Sequence, residues 1–192
     1  FASFEVATPW GRVGALATGL DDAAADRLAA RMQALFRARD ASPPPAGHPP
    51  LLFTPAAAAV ALHECVAHAL EADLLAASGN PMAADGIELG GRGIDVLDDP
   101  TSAPAGVART FDDEGTPTVR RWLLRSGRIA EPIADARSCR EWPELQAGSG
   151  FRADRHATPL PRSHHLELLA GDADAGRLLA LAEGGLEVAS VS

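Results

Sequence analysis

Two imidazoles and a carboxylate fall within the six residues His63-Glu64-Cys65-Val66-Ala67-His68, inside an alanine-rich stretch whose composition otherwise favours an unbroken helix. Thr54-Pro55 supplies an N-cap hydroxyl and a proline at the first helical position, and Ser78-Gly79-Asn80-Pro81 stops the run. Neutral imidazoles are zinc ligands, and a carboxylate beside the metal can take a proton from water bound to it. In the common H-E-x-x-H arrangement the histidines are four apart and share a helix face. Here they are five apart. At about 100° per residue, five residues turn roughly 500°, so a regular α-helix points the two rings about 140° apart. A regular helix therefore makes His63 a core histidine on the seam of Val66, Leu70 and Leu74. Chelation instead requires the turn from Cys65 to Ala67 to widen, most simply as a single π-bulge, a device common at functional sites.

The flanking sequence reads as mixed helix and sheet. Residues 4–16 alternate loosely around Pro9-Trp10-Gly11, a short hairpin with Trp10 as packing. Asp21-Asp22 then open an amphipathic helix in which Leu20, Ala24, Leu28, Met32 and Leu35 recur at helical spacing, with arginines at 31, 37 and 39. Five prolines and a glycine in residues 42–50 form a connection between units, with His48 an incidental loop residue. Residues 51–53 read as a buried strand leading to the helix of residues 54–78. The four glycines of 86–93 fit neither phosphate-binding fingerprint. Residues 94–97 read as a strand ended by a turn at Asp98-Asp99-Pro100. Residues 119–124 and 128–133 form a hairpin about Ser126-Gly127, and Asp135 caps a short helix holding Cys139 and Trp142. Residues 148–161 read as loop and 166–170 as a strand. Asp172 or Asp174 caps a last helix, and a strand starts at Leu186. The carboxylates at 98, 99, 112, 113 and 114 lack calcium-loop spacing and read as solvated loop acids.

Three ordered blocks carry a resemblance to a known family. The run from His63 through Ala69-Leu70-Glu71-Ala72-Asp73 resembles the H-E-A-x-G-H-x-L-E-G-D signature of the TldD/PmbA metalloproteases. Phe111-Asp112-Asp113-Glu114-Gly115-Thr116-Pro117-Thr118 is similar to its D-D-E-G-T-P segment. Gly148-Ser149-Gly150-Phe151-Arg152 and Pro159-Leu160-Pro161-Arg162 are similar to its G-x-G-x-R and P-x-P-R stretches. The resemblance spans roughly residues 51–192. Ala67, Ala69 and Ala72 stand where the family has glycine, so any backbone irregularity has to be made with a Cβ present. Ser163-His164-His165 replaces a polar Thr-Asn and bears on substrate preference.

The resemblance implies a zinc-dependent protease acting on small or unfolded peptides. It further implies a heterodimer with a related PmbA/TldE-like subunit lacking the metal motif, a homodimer being the alternative. It places a cysteine ligand beyond Ser192, with Cys139 as the fallback within these residues. His63 and His68 are the expected metal ligands and Glu64 the proton acceptor, while Glu71 can face His68 and orient it. Arg152, Arg155, His156 and Arg162 make a basic loop in an acidic chain. Arg152, His156 and Arg162 are the candidates to hold a peptide carboxylate.

Composition excludes other classes. The 192 residues are 46% hydrophobic, enough to bury a core, and the net charge of -9 argues against a nucleic-acid or anionic-membrane partner. No apolar run is of membrane-spanning length, and Phe1-Ala2-Ser3-Phe4-Glu5 lacks the regions of a signal peptide, so the cytoplasm is the expected compartment. Two cysteines are too few for a disulfide framework. The missing initiator Met and the ending Val188-Ala189-Ser190-Val191-Ser192 read as a portion of a longer chain. The expected fold is α+β: a largely antiparallel curled sheet and hairpins around the metal-binding helix in residues 51–192. Residues 1–50 then hold the end of a smaller N-terminal α/β unit and its proline-rich connection. Two rival functions remain: an amidase or peptidase acting on a small-molecule or peptide conjugate in a biosynthetic pathway, and a metal-free scaffold subunit of a heterodimer.

Overall fold

The computed structural model describes residues 2–8, 11–17, 22–38, 46–77, 79, 86–89, 91, 93–102 and 107–189. The Pro9-Trp10 turn, Leu20, Asp21, Arg39, the prolines at 43–45, Ser78, Asn80, Pro81, Gly90 and residues 190–192 lie outside these. Two compact units divide the chain, Phe1–His48 and Pro49–Ser192. In the first, β1 (Ala2–Thr8) and β2 (Gly11–Ala17) form the expected antiparallel hairpin, with Thr8 opposite Gly11. The helix α1 (Asp22–Ala38) follows, acidic in its first turn at Asp22 and basic in its last at Arg37, as its dipole favours. Among its described side chains, Leu28 and Met32, one turn apart, are half-buried.

The second unit opens with β3 (Leu51–Phe53) and α2 (Pro55–Leu62), followed by a π-helical turn at His63–Ala67, a 3-10 turn at His68–Leu70 and α3 (Ala72–Ala77). Then come β4 (Val96–Asp98), β5 (Arg121–Arg125), β6 (Arg128–Ile129), α4 (Ala136–Glu141), β7 (Gly150–Phe151), β8 (Leu160–Pro161), β9 (Leu166–Leu168), α5 (Ala175–Leu181) and β10 (Leu186–Val188). The main sheet has the order β6-β5-β4-β9 and is antiparallel throughout, so the class is α+β as its alternation of hairpins and short helices implies. Ser126 (φ 51°) and Gly127 (φ 75°) make the tight β5–β6 turn, where positive φ at both central residues matches the strand twist. Thr54 starts α2: its Oγ1 accepts from the Ala57 amide at 3.3 Å and donates to the Ala189 carbonyl at 3.0 Å. β3 pairs in parallel with β10. Asp174, not Asp172, caps α5.

The core shows why a long buried helix does not form. Ala67 and Leu70, on the two irregular turns, pack with Val96, Leu123, Leu124, Ile129 and Ile133. α2 itself buries only Ala57, and Leu62 at its end is partly buried against this cluster. The helix of residues 54–78 is also not continuous. Glu71 is extended (φ -69°, ψ 128°) and bridges Ile133: the Ile133 amide donates to the Leu70 carbonyl at 2.8 Å, and the Ala72 amide to the Ile133 carbonyl at 2.9 Å. That break resets the helical phase, so Leu74 leaves the seam and is half exposed. Residues 148–161 are not all loop, since β7 and β8 pair with Gly150 opposite Pro161.

The acids of Asp112-Asp113-Glu114 all accept from backbone amides, and Asp112 is buried while Asp113 and Glu114 stay exposed. Asp112 Oδ1 accepts from the Glu114 and Thr116 amides at 3.0 and 2.9 Å, and its Oδ2 from the Gly150 amide at 3.0 Å. Asp113 accepts from the Arg152 amide at 2.9 Å, and Glu114 from the Ala136 amide at the start of α4 at 2.7 Å. A short carboxylate satisfies several turn amides at once, which solvent exposure would otherwise have to do. The same contacts explain the two glycines. A Cβ on Gly148, at φ +116°, would lie 2.5 Å from the Pro117 carbonyl oxygen, and one on Gly150 would lie 2.5 Å from Glu114 Oε2.

Asp98, expected in a turn, is the buried last residue of β4. Its Oδ1 accepts from the His164 and His165 amides at 2.9 and 2.8 Å. Arg121, opposite it on β5 and buried, donates to the carbonyls of Pro132 and Gln146 at 3.1 and 2.9 Å. Burial raises the Asp98 pKa, with the two amides and the Arg121 charge opposing.

Two outcomes follow. Gly148→Ala meets backbone in a left-handed conformation and is expected to cost about 1–3 kcal/mol, whereas Gly150→Ala displaces one side-chain cap and is expected to cost about 1 kcal/mol. Urea unfolding that ranks Gly150→Ala as the more damaging overturns this. A raised folded pKa means that the Asp98 contribution is fully present below the ordinary carboxylate pKa and is lost as pH rises through the elevated value. The stability of the wild type relative to Asp98→Asn should therefore fall as pH rises above about 4, the ordinary carboxylate range, in unfolding titrations. A rise with pH contradicts the assignment.

Candidate metal centre

The widened turn exists where the spacing requires it. In the π-helical turn the His68 amide donates to the carbonyl of His63, five residues back, which removes the divergence a regular helix imposes. The two rings lie with centroids 4.3 Å apart and planes at 65°. One ligand atom from each of His63, Glu64 and His68 lies within 4.8 Å of the others. Both histidines are half-buried and Glu64 is exposed. The turn needs no glycine: Ala67 sits at φ -65°, ψ -53°, and its Cβ is buried in the core.

Glu71 anchors one ring. It has no exposed surface; Oε1 lies 2.9 Å from His68 Nδ1 and Oε2 accepts from Arg162 Nη1 at 2.8 Å. Burial raises the Glu71 pKa, while the His68 hydrogen bond and the Arg162 charge oppose it. An ionised carboxylate only accepts, so beside an ionised Glu71 the His68 proton would sit on Nδ1 and Nε2 would be left free for an ion. Glu71 faces His68 as its sequence position allows, although from an extended residue instead of a helix.

The donor set fits a divalent transition metal: two imidazole nitrogens converge, one ring is oriented by a buried carboxylate, and a second carboxylate stands alongside. Neither cysteine joins the group among the described residues. Cys65 is exposed. Cys139 packs against Ala72, Ala134 and Leu145, donates from Sγ to the Leu145 carbonyl at 3.2 Å, and has a pKa raised by burial.

Of the three basic residues, Arg152 and Arg162 share a cleft and His156 lies apart from it. Arg162 is drawn to Glu71 and lies 3.3 Å from Asp73 Oδ2. Arg152 and Arg162 line a cleft of about 340 Å³ with Phe151, Leu160, Ser163 and His164. His156 is exposed and outside that lining, its Nε2 accepting from Arg155 Nε at 2.9 Å. His164 stacks on Phe151 with centroids 4.8 Å apart and reaches the Val107 carbonyl at 2.6 Å, so Ser163 and His164 of the Ser163-His164-His165 departure form a wall of the cleft. Nothing in the spacing announces the Glu71–Arg162 contact, which joins residues 91 apart.

The chain is thus an α+β domain carrying a His63-Glu64-His68 group on a π-helical turn. The model of the PmbA/TldA metallopeptidase C-terminal domain matches residues 46–192, and the chain belongs to that family. It is 27% identical over 143 residues to the metalloprotease TldD homolog of Haemophilus influenzae, covering 74% of this chain and 30% of that one. A metalloprotease of Methanothermobacter thermautotrophicus is 27% identical over 133 residues, 69% of this chain and 29% of its own. The chain thus spans under a third of the length of these curated relatives. The crystal structure of TldE from Thermococcus kodakarensis shares the fold, with a TM-score of 0.64 and 22% identity over 80% of this chain and 34% of that one.

If the extra residue of the π turn is what aims the ligands, removing an exposed residue from it should restore ordinary four-residue spacing and keep the rings together. Deletion of Cys65 is expected to fold and to retain zinc affinity within about tenfold in chelator competition. Loss of zinc binding by a folded deletion variant contradicts this.

Proposed function

We propose that this chain is the catalytic domain of a zinc-dependent peptidase that hydrolyses amide bonds in small or unfolded peptides. The observation carrying this is the convergence of His63, Glu64 and His68 across the π turn, with His68 fixed by the buried Glu71. His63 and His68 would hold the zinc, and when bound it polarises a carbonyl and lowers the pKa of water. Glu64, exposed and unencumbered beside them, accepts the proton of the attacking water and returns it to the leaving amine. A further ligand comes from outside the described residues, since two histidines underfill a tetrahedral site. Arg152 lines the cleft, which supports giving it a carboxylate of the peptide to hold.

The family and the TldE-like fold support a related subunit as partner in a heterodimer. A cytoplasmic location belongs to the same reading; among the described residues no helix is long and apolar enough to cross a membrane. A small-molecule or peptide conjugate is the second reading of the substrate, favoured by His164 in the cleft wall, where the family has a different residue type.

Glu64→Gln is expected to lower peptide hydrolysis by about 10²–10⁴-fold with zinc content unchanged, because the amide fills the same space but cannot take the proton. His63→Ala and His68→Ala should lose zinc. Substantial turnover by Glu64→Gln, or full zinc occupancy in either histidine variant by elemental analysis, overturns the roles given.

A further inference from the structure

Arg162 reads from sequence as a substrate-binding residue, yet its guanidinium is already engaged. Nη1 donates to Glu71 Oε2 at 2.8 Å and to the Pro161 carbonyl at 2.6 Å, and lies 3.3 Å from Asp73 Oδ2. The Arg162 backbone is fixed as well, its amide donating to the Ser149 carbonyl at 2.9 Å. At the other end of the contact, Glu71 is pinned through its backbone to Ile133 and has no exposed surface. Its second oxygen meets His68 Nδ1 at 2.9 Å.

We infer that Arg162 is a positioning residue for the metal centre, acting through Glu71: it holds the carboxylate in the orientation that turns the free nitrogen of His68 toward His63 and Glu64. The inference rests on the metal reading above. A buried carboxylate satisfied by one imidazole alone keeps an unpaired oxygen, and relieving that cost means rotating away from His68 or drawing in solvent. Arg162 removes the conflict by satisfying the second oxygen from a fixed point. The guanidinium suits this task because its charge is permanent and its donors are rigidly placed, whereas a lysine offers a flexible point charge. An arginine serving substrate alone would have no need of a fully buried partner. The side chain is only about one-third exposed, 34%, so its cleft-facing side forms wall and its Nη1 does the orienting.

The test uses the full-length protein, with Zn²⁺ affinity measured by chelator competition and the Co²⁺-substituted visible spectrum as a report of ligand geometry. Arg162→Met is expected to weaken Zn²⁺ binding about 10–100-fold and to alter the Co²⁺ spectrum, as loss of outer-shell partners does. Arg162→Lys should recover part of the affinity. In a Glu71→Gln background, Arg162→Met should weaken binding by less than about threefold more, since the residue it acts through is already changed. Equal losses in both backgrounds overturn the inference, as does unchanged Zn²⁺ affinity in Arg162→Met with only a raised KM. If Arg162→Met does not fold, Arg162→Lys decides: affinity and spectrum equal to wild type overturn it. A wild-type protein that takes up no zinc refutes the metal reading itself, an outcome separate from a zinc-binding wild type matched by its variant.

Discussion

Glu71 is the joint on which the centre depends. Its backbone ends one run of helical turns and permits another, and its side chain joins a candidate metal ligand to the guanidinium of Arg162, the residue just past β8. A carboxylate without exposed surface is costly unless both oxygens are used, and here each has a partner. Satisfying it brings three segments together: the turn bearing the histidines, the strand-like stretch at Ile133, and the end of β8. The metal group is thus built against a framework, not displayed on a free helix.

The irregularity beside it follows from arithmetic on a single spacing. Two imidazoles five residues apart can meet only if the backbone absorbs one residue, and the π-helical turn does so with ordinary right-handed dihedrals at Ala67 and His68. The alanine at 67 does not strain the turn, and its methyl group instead contributes to the core between the turn and the sheet. Site geometry and packing are served by the same residues.

What the sequence disclosed, and what it withheld, divides along the range of the interactions. The Thr54 cap, the Ser126-Gly127 hairpin and the Asp135 cap are set by neighbours a few residues away, and the structure has each of them. The widened turn was legible because a chemical requirement on His63 and His68 conflicts with helix periodicity. The break at Glu71 was not, because Ala72-Asp73-Leu74-Leu75 continues a good helical composition and the interruption comes from Ile133. β7 and β8 are too short to show alternation. Asp112 looked like any loop acid until Gly150 was placed beside it. Arg162 was singled out for its charge, but its partner could be found only in three dimensions.

The parallel pairing of β3 with β10 bears on the order of assembly. The Thr54 amide donates to the Val188 carbonyl at 3.0 Å, and the Thr54 hydroxyl to Ala189, 135 residues downstream. On a ribosome, a chain growing at about 5–20 residues per second needs on the order of ten seconds to reach from one to the other. During that interval α2 has its local cap but not the strand beside it, and the histidines that follow are translated long before their scaffold is complete.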